Sequence, residues 1–229
     1  MPRIPGTIAA TLLAALGAAH AHGEVLCLEG THHSTDFRLR PHDLIIATAD
    51  LTLSCARTLR IEGRIVAAPS CSIHLVATEL IIDDGRVYAG DGLSTHAIDG
   101  DGGKGGDVVL NAQRITMSDT VIRAGRGGNA GPSGNGGAGG DIRIIGTPEN
   151  SIDATVILDT GAAGEGGDGI SGFSEAARAG GNGGDAGNLI VNVAWWSTGE
   201  RPAPPPVRSP VKNAQRAVGA SRMGCVAVD

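Results

Sequence analysis

The chain has 229 residues and a formal net charge of −6, enough length for one domain with a tail and no basic stripe to hold nucleic acid. Aromatic residues make up only 2% of it, too few for a ring-stacking sugar groove or for the large anchors of a tight protein interface. Glycine is the outlier: 28 of the 37 glycines fall between Gly90 and Gly187.

Met1-Pro2-Arg3 precedes an apolar stretch from Ile8 to Ala19, and Ala19-His20-Ala21 has the small-x-small form of a signal peptidase site. The expectation is a signal peptide over 1–21 and an exported chain, secreted, periplasmic or held at the cell surface. The apolar stretch is short for a membrane span, and no later run reaches spanning length. Residues 22–42 read as an N-terminal cap. Cys27, Cys55, Cys71 and Cys225 suit an oxidising compartment and are disulfide candidates with three pairings open. None of them lies in a C-x-x-C or zinc-type spacing.

From residue 43 the chain repeats. Leu51, Leu53, Gly63, Ile65 and Ala67 return 22 residues later as Ile73, Leu75, Gly85, Val87 and Ala89. Ile73, Leu75, Leu80, Ile82, Val87 and Ala89 return in turn after 35 residues as Val108, Leu110, Ile115, Met117, Ile122 and Ala124. A third copy starts at Ile142 and Ile144 and continues, after a one-residue slip, through Ile152, Val156 and Ile157; Val191 is the next counterpart of Ile144. Alternation of period two within each segment argues strand and against a helical solenoid. A period of some twenty residues is that of a β-solenoid, whose coils bury their apolar rows against one another. Cys55 shares a row with Ala77 and Ala112 and should point inward; His74, between Ile73 and Leu75, should face out.

The rhythm DVVLNAQRITMSDTVIRAGRGG, with its copies SIHLVATELIIDDGRVYAGDG and DIRIIGTPENSIDATVILDTGAAG, resembles the right-handed parallel β-helix family, the pectin-lyase-like and haemagglutinin-like secreted bacterial proteins. The resemblance covers about residues 43–194 and implies an all-β, short right-handed parallel β-helix of about four to five coils, its domain taken to residue 196. Catalysis does not follow from such a fold. The outward positions His74, Val109, Arg143 and Val76, Asn111, Ile145 supply no acid–base set.

Glycine-rich insertions at 90–106, 125–140 and 161–187 leave the coil at one point of the repeat and should stack on one edge. Two readings stand: a mobile fringe, or an ordered glycine sheet of polyproline-II-like arms exchanging backbone hydrogen bonds. GGKGGDVVL, from Gly102 to Leu110, fits a calcium-roll nonapeptide, so Asp99, Asp101 and Asp107 are the candidate calcium ligands. The aspartates Asp107, Asp141 and Asp185 do not recur every nine residues as a roll requires, and capping of turns by Asp is the plainer role. Apart from calcium no cofactor is expected. A mature N-terminus at His22 would resemble that of copper-dependent lytic polysaccharide monooxygenases, but no partner histidine stands out among His32, His33, His42, His74 and His96.

Trp195-Trp196 reads as a cap on the last coil, and 197–229, with RPAPPPVRSP from Arg201 to Pro210, as a stiff Pro-rich tail. The leading expectation is a non-enzymatic, exported structural or adhesin-like protein of the cell envelope or extracellular matrix, associating with itself or with envelope material. The alternative is a carbohydrate-active β-helix, polysaccharide-binding or lyase-like. An ice- or mineral-binding face would need a regular outward Thr array, which the mixed rows do not give.

Overall fold

A computed structural model of the chain describes residues 23–147, 150–153, 155–169 and 179–193. The expected signal peptide, the expected cap at Trp195-Trp196, the Pro-rich segment and Cys225 lie outside the described residues. The described strands are β1 (Val25–Ser34), β2 (Phe37–Leu39), β3 (Leu44–Ile61), β4 (Arg64–Ala67), β5 (Ile73–Asp83), β6 (Arg86–Tyr88), β7 (Val108–Ser118), β8 (Val121–Arg123), β9 (Ile142–Gly146), β10 (Ser151–Ile152), β11 (Ile157–Asp159) and β12 (Leu189–Val193). Every pairing between them is parallel, in the order β11-β8-β6-β4-β3-β5-β7-β9-β12. The fold is an all-β parallel solenoid.

Each coil crosses three faces. The start of β1, the start of β3, and β4, β6, β8 and β11 stack as face A. The rest of β1, the middle of β3, the start of β5 and of β7, then β9 and β12 stack as face B. Face C holds β2, the ends of β3, β5 and β7, and β10. Chain order therefore gives six coils: β1–β2, β3, β4–β5, β6–β7, β8–β10 and β11–β12.

Inside, side chains form columns. Leu53, Leu75, Leu110 and Ile144 lie in register, as do Ala47, Ala67, Ala89 and Ala124 at the corner between faces A and B. All eight are buried, because alternation sends every second residue of each strand into a closed interior. The expected row of Cys55, Ala77 and Ala112 is present and buried, and His74 faces out. At the next coil boundary the fully buried Thr120 Oγ1 donates toward the carbonyls of Ser118 and Ile82, which keeps its hydroxyl satisfied inside the apolar wall.

Three details differ from the sequence reading. Residues 25–39, expected as a cap, run as β1 and β2 and pair with β3 as the first coil, so the coils number six and not four to five. The third copy slips twice: Ile152 pairs with Met117 as expected, but Leu158, not Ile157, lies against Ile122. The Val156–Ile157 step therefore turns Ile157 outward and Leu158 toward the core. No disulfide forms among the described cysteines, since Cys27 pairs in register with Ile46 on face A, Cys55 lies under Ser34 on face B, and Cys71 sits in the turn before β5.

Candidate functional site

The glycine insertions all leave the solenoid between faces A and B, after β6, β8 and β11, and return to β7, β9 and β12. Each loop therefore has an outbound and a return arm, and the three loops stack as layers. The sequence of an arm is close to Gly-Gly-x, which suits the three residues per turn of polyproline II. Among the described arm glycines only Gly169 has a positive φ, at 85°. It is thus space, rather than left-handed backbone, that requires glycine at the packed positions. A Cβ on Gly137 would fall 1.9 Å from the Gly103 carbonyl oxygen, and one on Gly125 would fall 1.9 Å from that of Gly90.

Backbone hydrogen bonds then knit the arms with a three-residue period. Within a loop the return arm donates to the outbound arm: Gly103 to Leu93, Gly106 to Gly90, Gly137 to Gly128, Gly140 to Gly125, Gly184 to Gly164 and Gly187 to Gly161, all at 2.7–3.0 Å. Between loops, Gly125, Gly128 and Gly131 donate back to Gly106, Gly103 and Gly100; Gly161, Gly164 and Gly167 donate to Gly140, Gly137 and Gly134. Of the two readings of the insertions, the structure shows the ordered glycine sheet.

Polar side chains at the x positions accept backbone N–H groups of the next loop. Asp91 Oδ1 accepts from Arg126 N at 2.8 Å, Ser94 Oγ from Asn129 N at 2.9 Å, and Asn129 Oδ1 from Glu165 N at 3.0 Å. A ladder of side-chain caps runs along the entry to face B from the second coil to the sixth, passing the foot of the return arms. Ser72 N donates to Asp50, Asp107 N to Ser72, Asp141 N to Asp107 and Asn188 N to Asp141. Burial alone would raise the Asp141 carboxyl, but the backbone and side-chain N–H groups of Asn188 and the Arg143 guanidinium hold it below its usual range.

These bonds account for two of the three expected calcium ligands. Asp101 Oδ1 accepts from Asn135 N at 2.7 Å, and Asp107 is paired with Lys104 Nζ at 2.9 Å besides capping Asp141. In an extended arm, six residues at about 3.1 Å each put Asp101 and Asp107 some 19 Å apart, too far to share one ion. Asp99 sits at the exposed tip of the first loop. The described residues include no group of three or more His, Cys, Asp or Glu placed to hold a metal. His32 bonds the Glu29 carbonyl, His33 faces out on β1, His42 occupies a turn with φ 75°, and His22 lies outside the described residues. Alternate acidic and amide positions at a coil spacing were the signal for this ladder, and the sequence reading took them only as turn caps or calcium ligands.

Elsewhere, face C carries paired charge. Glu62 bridges Arg38 at 2.8 Å and Arg60 at 2.7 Å, while Arg57 pairs with Asp36 and Arg114 with Glu79. Burial opposes the charge on Glu62, yet its two guanidinium partners hold its carboxyl below the ordinary value. Burial pushes the thiols of Cys55 and Cys71 up, so both are poor nucleophiles. No protein family, curated protein or solved structure matches this chain.

Proposed function

We propose that the protein is an exported, non-enzymatic structural or adhesin-like component of the cell envelope or extracellular matrix, and that the glycine bundle is its working face. The observation that carries this reading is the rigidity of the bundle. Three long loops that glycine would leave disordered in isolation are held by backbone bonds in every layer, which presents a fixed relief of Asp, Asn, Ser and Glu side chains. A preorganised polar face loses little entropy on contact with an extended polymer. The carboxylates of Asp91, Asp101, Asp107 and Asp141 accept backbone N–H groups of the next layer, which suits recognition better than acid–base chemistry.

A shallow groove favours polysaccharide binding as the second reading. It lies at the corner between faces C and A, holds about 470 Å³, and is lined by His42, Glu62, Arg64, Asp84 and Arg86 among others. Arg64 and Arg86 stand in direct register on neighbouring coils, as donors for acidic sugars.

Sedimentation with purified envelope or matrix material, compared with turnover assays on pectic, uronate and chitin-type polymers with and without calcium or copper, separates these readings. Binding without turnover is expected. Cleavage that disappears on mutating His22 would replace the proposal with a copper enzyme, and cleavage dependent on Asp99, Asp101 or Asp107 would replace it with a lyase.

A further inference from the structure

We infer that the third loop is an assembly edge whose occupant is the first loop of a second copy, and that copies add with a half-turn into a filament. The argument starts from donors left over by the layering. Gly92, Thr95, Gly102 and Gly105 of the first loop donate to the carbonyls of Arg126, Asn129, Asn135 and Ala138 of the second. Gly127, Ala130, Gly136 and Gly139 of the second donate likewise to Ala162, Glu165, Asn182 and Asp185 of the third. The same positions of the third loop are Ala163, Gly166, Gly183 and Ala186, and among the described residues their N–H groups have no acceptor. Three of these four residues are exposed, and a Cβ on Gly183 would meet nothing nearer than 3.7 Å. The first loop has the complementary vacancy, since among the described residues no backbone N–H reaches the carbonyls of Ser94, Asp101 and Lys104. One edge thus ends in donors and the other in acceptors, at the same three-residue spacing.

A second copy cannot dock by continuing the solenoid, because three coils precede its first loop and would fall on coils four to six of the first copy. A half-turn about an axis parallel to that of the solenoid and passing through the glycine bundle removes the clash by putting its body beyond the loop tips. Outbound and return arms run in opposite directions, so the half-turn also lays each incoming outbound arm over a return arm pointing the same way. The count then closes. Three loop layers per copy and six coils per body mean that a third copy, turned back into line, begins where the first body ends. That junction joins coil six to coil one, and among the described residues the inward-facing apolar side chains of these end coils that stay partly open are Leu158, Leu189 and Val191 on one and Leu26 and Leu28 on the other. A contact between different surfaces that does not close on itself grows without limit. At about 4.8 Å per coil layer, each copy advances the filament by about 14 Å.

This inference rests on the structural reading of function and is tested apart from it. Acidic residues line both edges, among them Asp101, Glu165 and Asp185, so the assay belongs at physiological salt. Sedimentation velocity and electron microscopy of the purified protein should show concentration-dependent filaments with that rise and with bodies alternating between two sides. The variant Ala163→Pro/Gly183→Pro/Ala186→Pro deletes three edge donors while keeping an extended backbone, and should stay monomeric with an unchanged melting midpoint. Should the triple variant misfold, Gly183→Pro alone should raise the concentration needed for assembly about 2- to 10-fold, the worth of one hydrogen bond. A monomer at all concentrations, a closed dimer, or assembly indifferent to proline would overturn the inference. Envelope binding by a strictly monomeric protein would sink only the filament, whereas filaments that bind no envelope material would sink only the proposed function.

Discussion

The solenoid and the glycine bundle stack in the same direction, in continuous layers of one chain, yet they are held by opposite means. In the body, columns such as Leu53, Leu75, Leu110 and Ile144 bury large side chains, and backbone bonds run alongside. In the bundle, side chains are excluded from the interior, and the arms approach until a single Cβ would strike a neighbouring carbonyl. The hydrophobic term is therefore nearly absent there, while the ordering entropy of glycine is at its largest. Such a bundle is stable because its arms are anchored at both ends to a body already folded, which shortens each loop closure. The body should thus form first and template the arms.

Two substitutions break this contrast most strongly. Leu110 is fully buried, so Leu110→Asp places an unpaired charge among aliphatic columns and should destabilise the whole protein by about 4 kcal/mol or more, read by urea unfolding. Stability equal to wild type would show that the column is not closed. Gly137→Val acts in the other region. Its Cβ would overlap the Gly103 carbonyl, so the arms must part, with a loss of about 1–3 kcal/mol and hydrogen-exchange deprotection confined to residues 90–106, 125–140 and 161–169. Global unfolding instead would mean that the bundle supports the body. Gly183→Ala is the internal control: with open space around its Cβ it should be neutral or stabilising by up to about 1 kcal/mol.

The two regions were also unequally legible. The body follows from alternation, and offsets of 22 and 35 located nearly every buried column. The first coil escaped because its face-B inward positions carry Gly30 and His32 where later coils carry Leu, Ile and Val, and Ser34 where they carry Cys55, Ala77 and Ala112. The second slip escaped because Val156, Ile157 and Leu158 are all apolar, and composition alone does not say which of three adjacent residues turns inward. In the bundle the glycine-rich composition left extended arms as one of two readings, since order and disorder have the same composition. What decides is the alignment of three loops on one corner, which is a property of the solenoid. The single match to a calcium nonapeptide has a similar origin: Asp107 stands in register with Asp141 and Asn188 because Asp107 caps Asp141 and Asp141 caps Asn188.

That capping ladder gives a pH test of the seam between the regions. The Asp141 and Glu62 carboxyls are both held below their ordinary values in the folded protein, so the stability they contribute is fully present above the unfolded values. It is lost as pH falls below about 4 toward the lower folded values. Asp141→Ala removes the acceptor for Asn188 N–H and the partner of Arg143, and should lower stability by about 1–3 kcal/mol at neutral pH while flattening the acid limb of the stability curve. An unchanged acid limb in Asp141→Ala would show that Asp141 is not linked to folding.

Calcium provides the smallest and sharpest test. Asp101 and Asp107 already accept backbone N–H groups, and Lys104 neutralises Asp107 from the same arm. An ion at either carboxylate would have to compete with these bonds and would find a single carboxylate where a strong site gathers six to eight oxygens. Calorimetry at neutral pH should therefore show weak association, with Kd near the millimolar range of sparsely charged sites, and a melting shift too small to separate body from bundle. Lys104→Ala frees one carboxylate of its ammonium partner and should strengthen the binding only slightly, since the other ligands stay about 19 Å away along the arm. Submicromolar affinity in the wild-type protein would mean that the loop tips around Asp99 rearrange to build a cation site, and would make the bundle a calcium-dependent structure in contrast to the body.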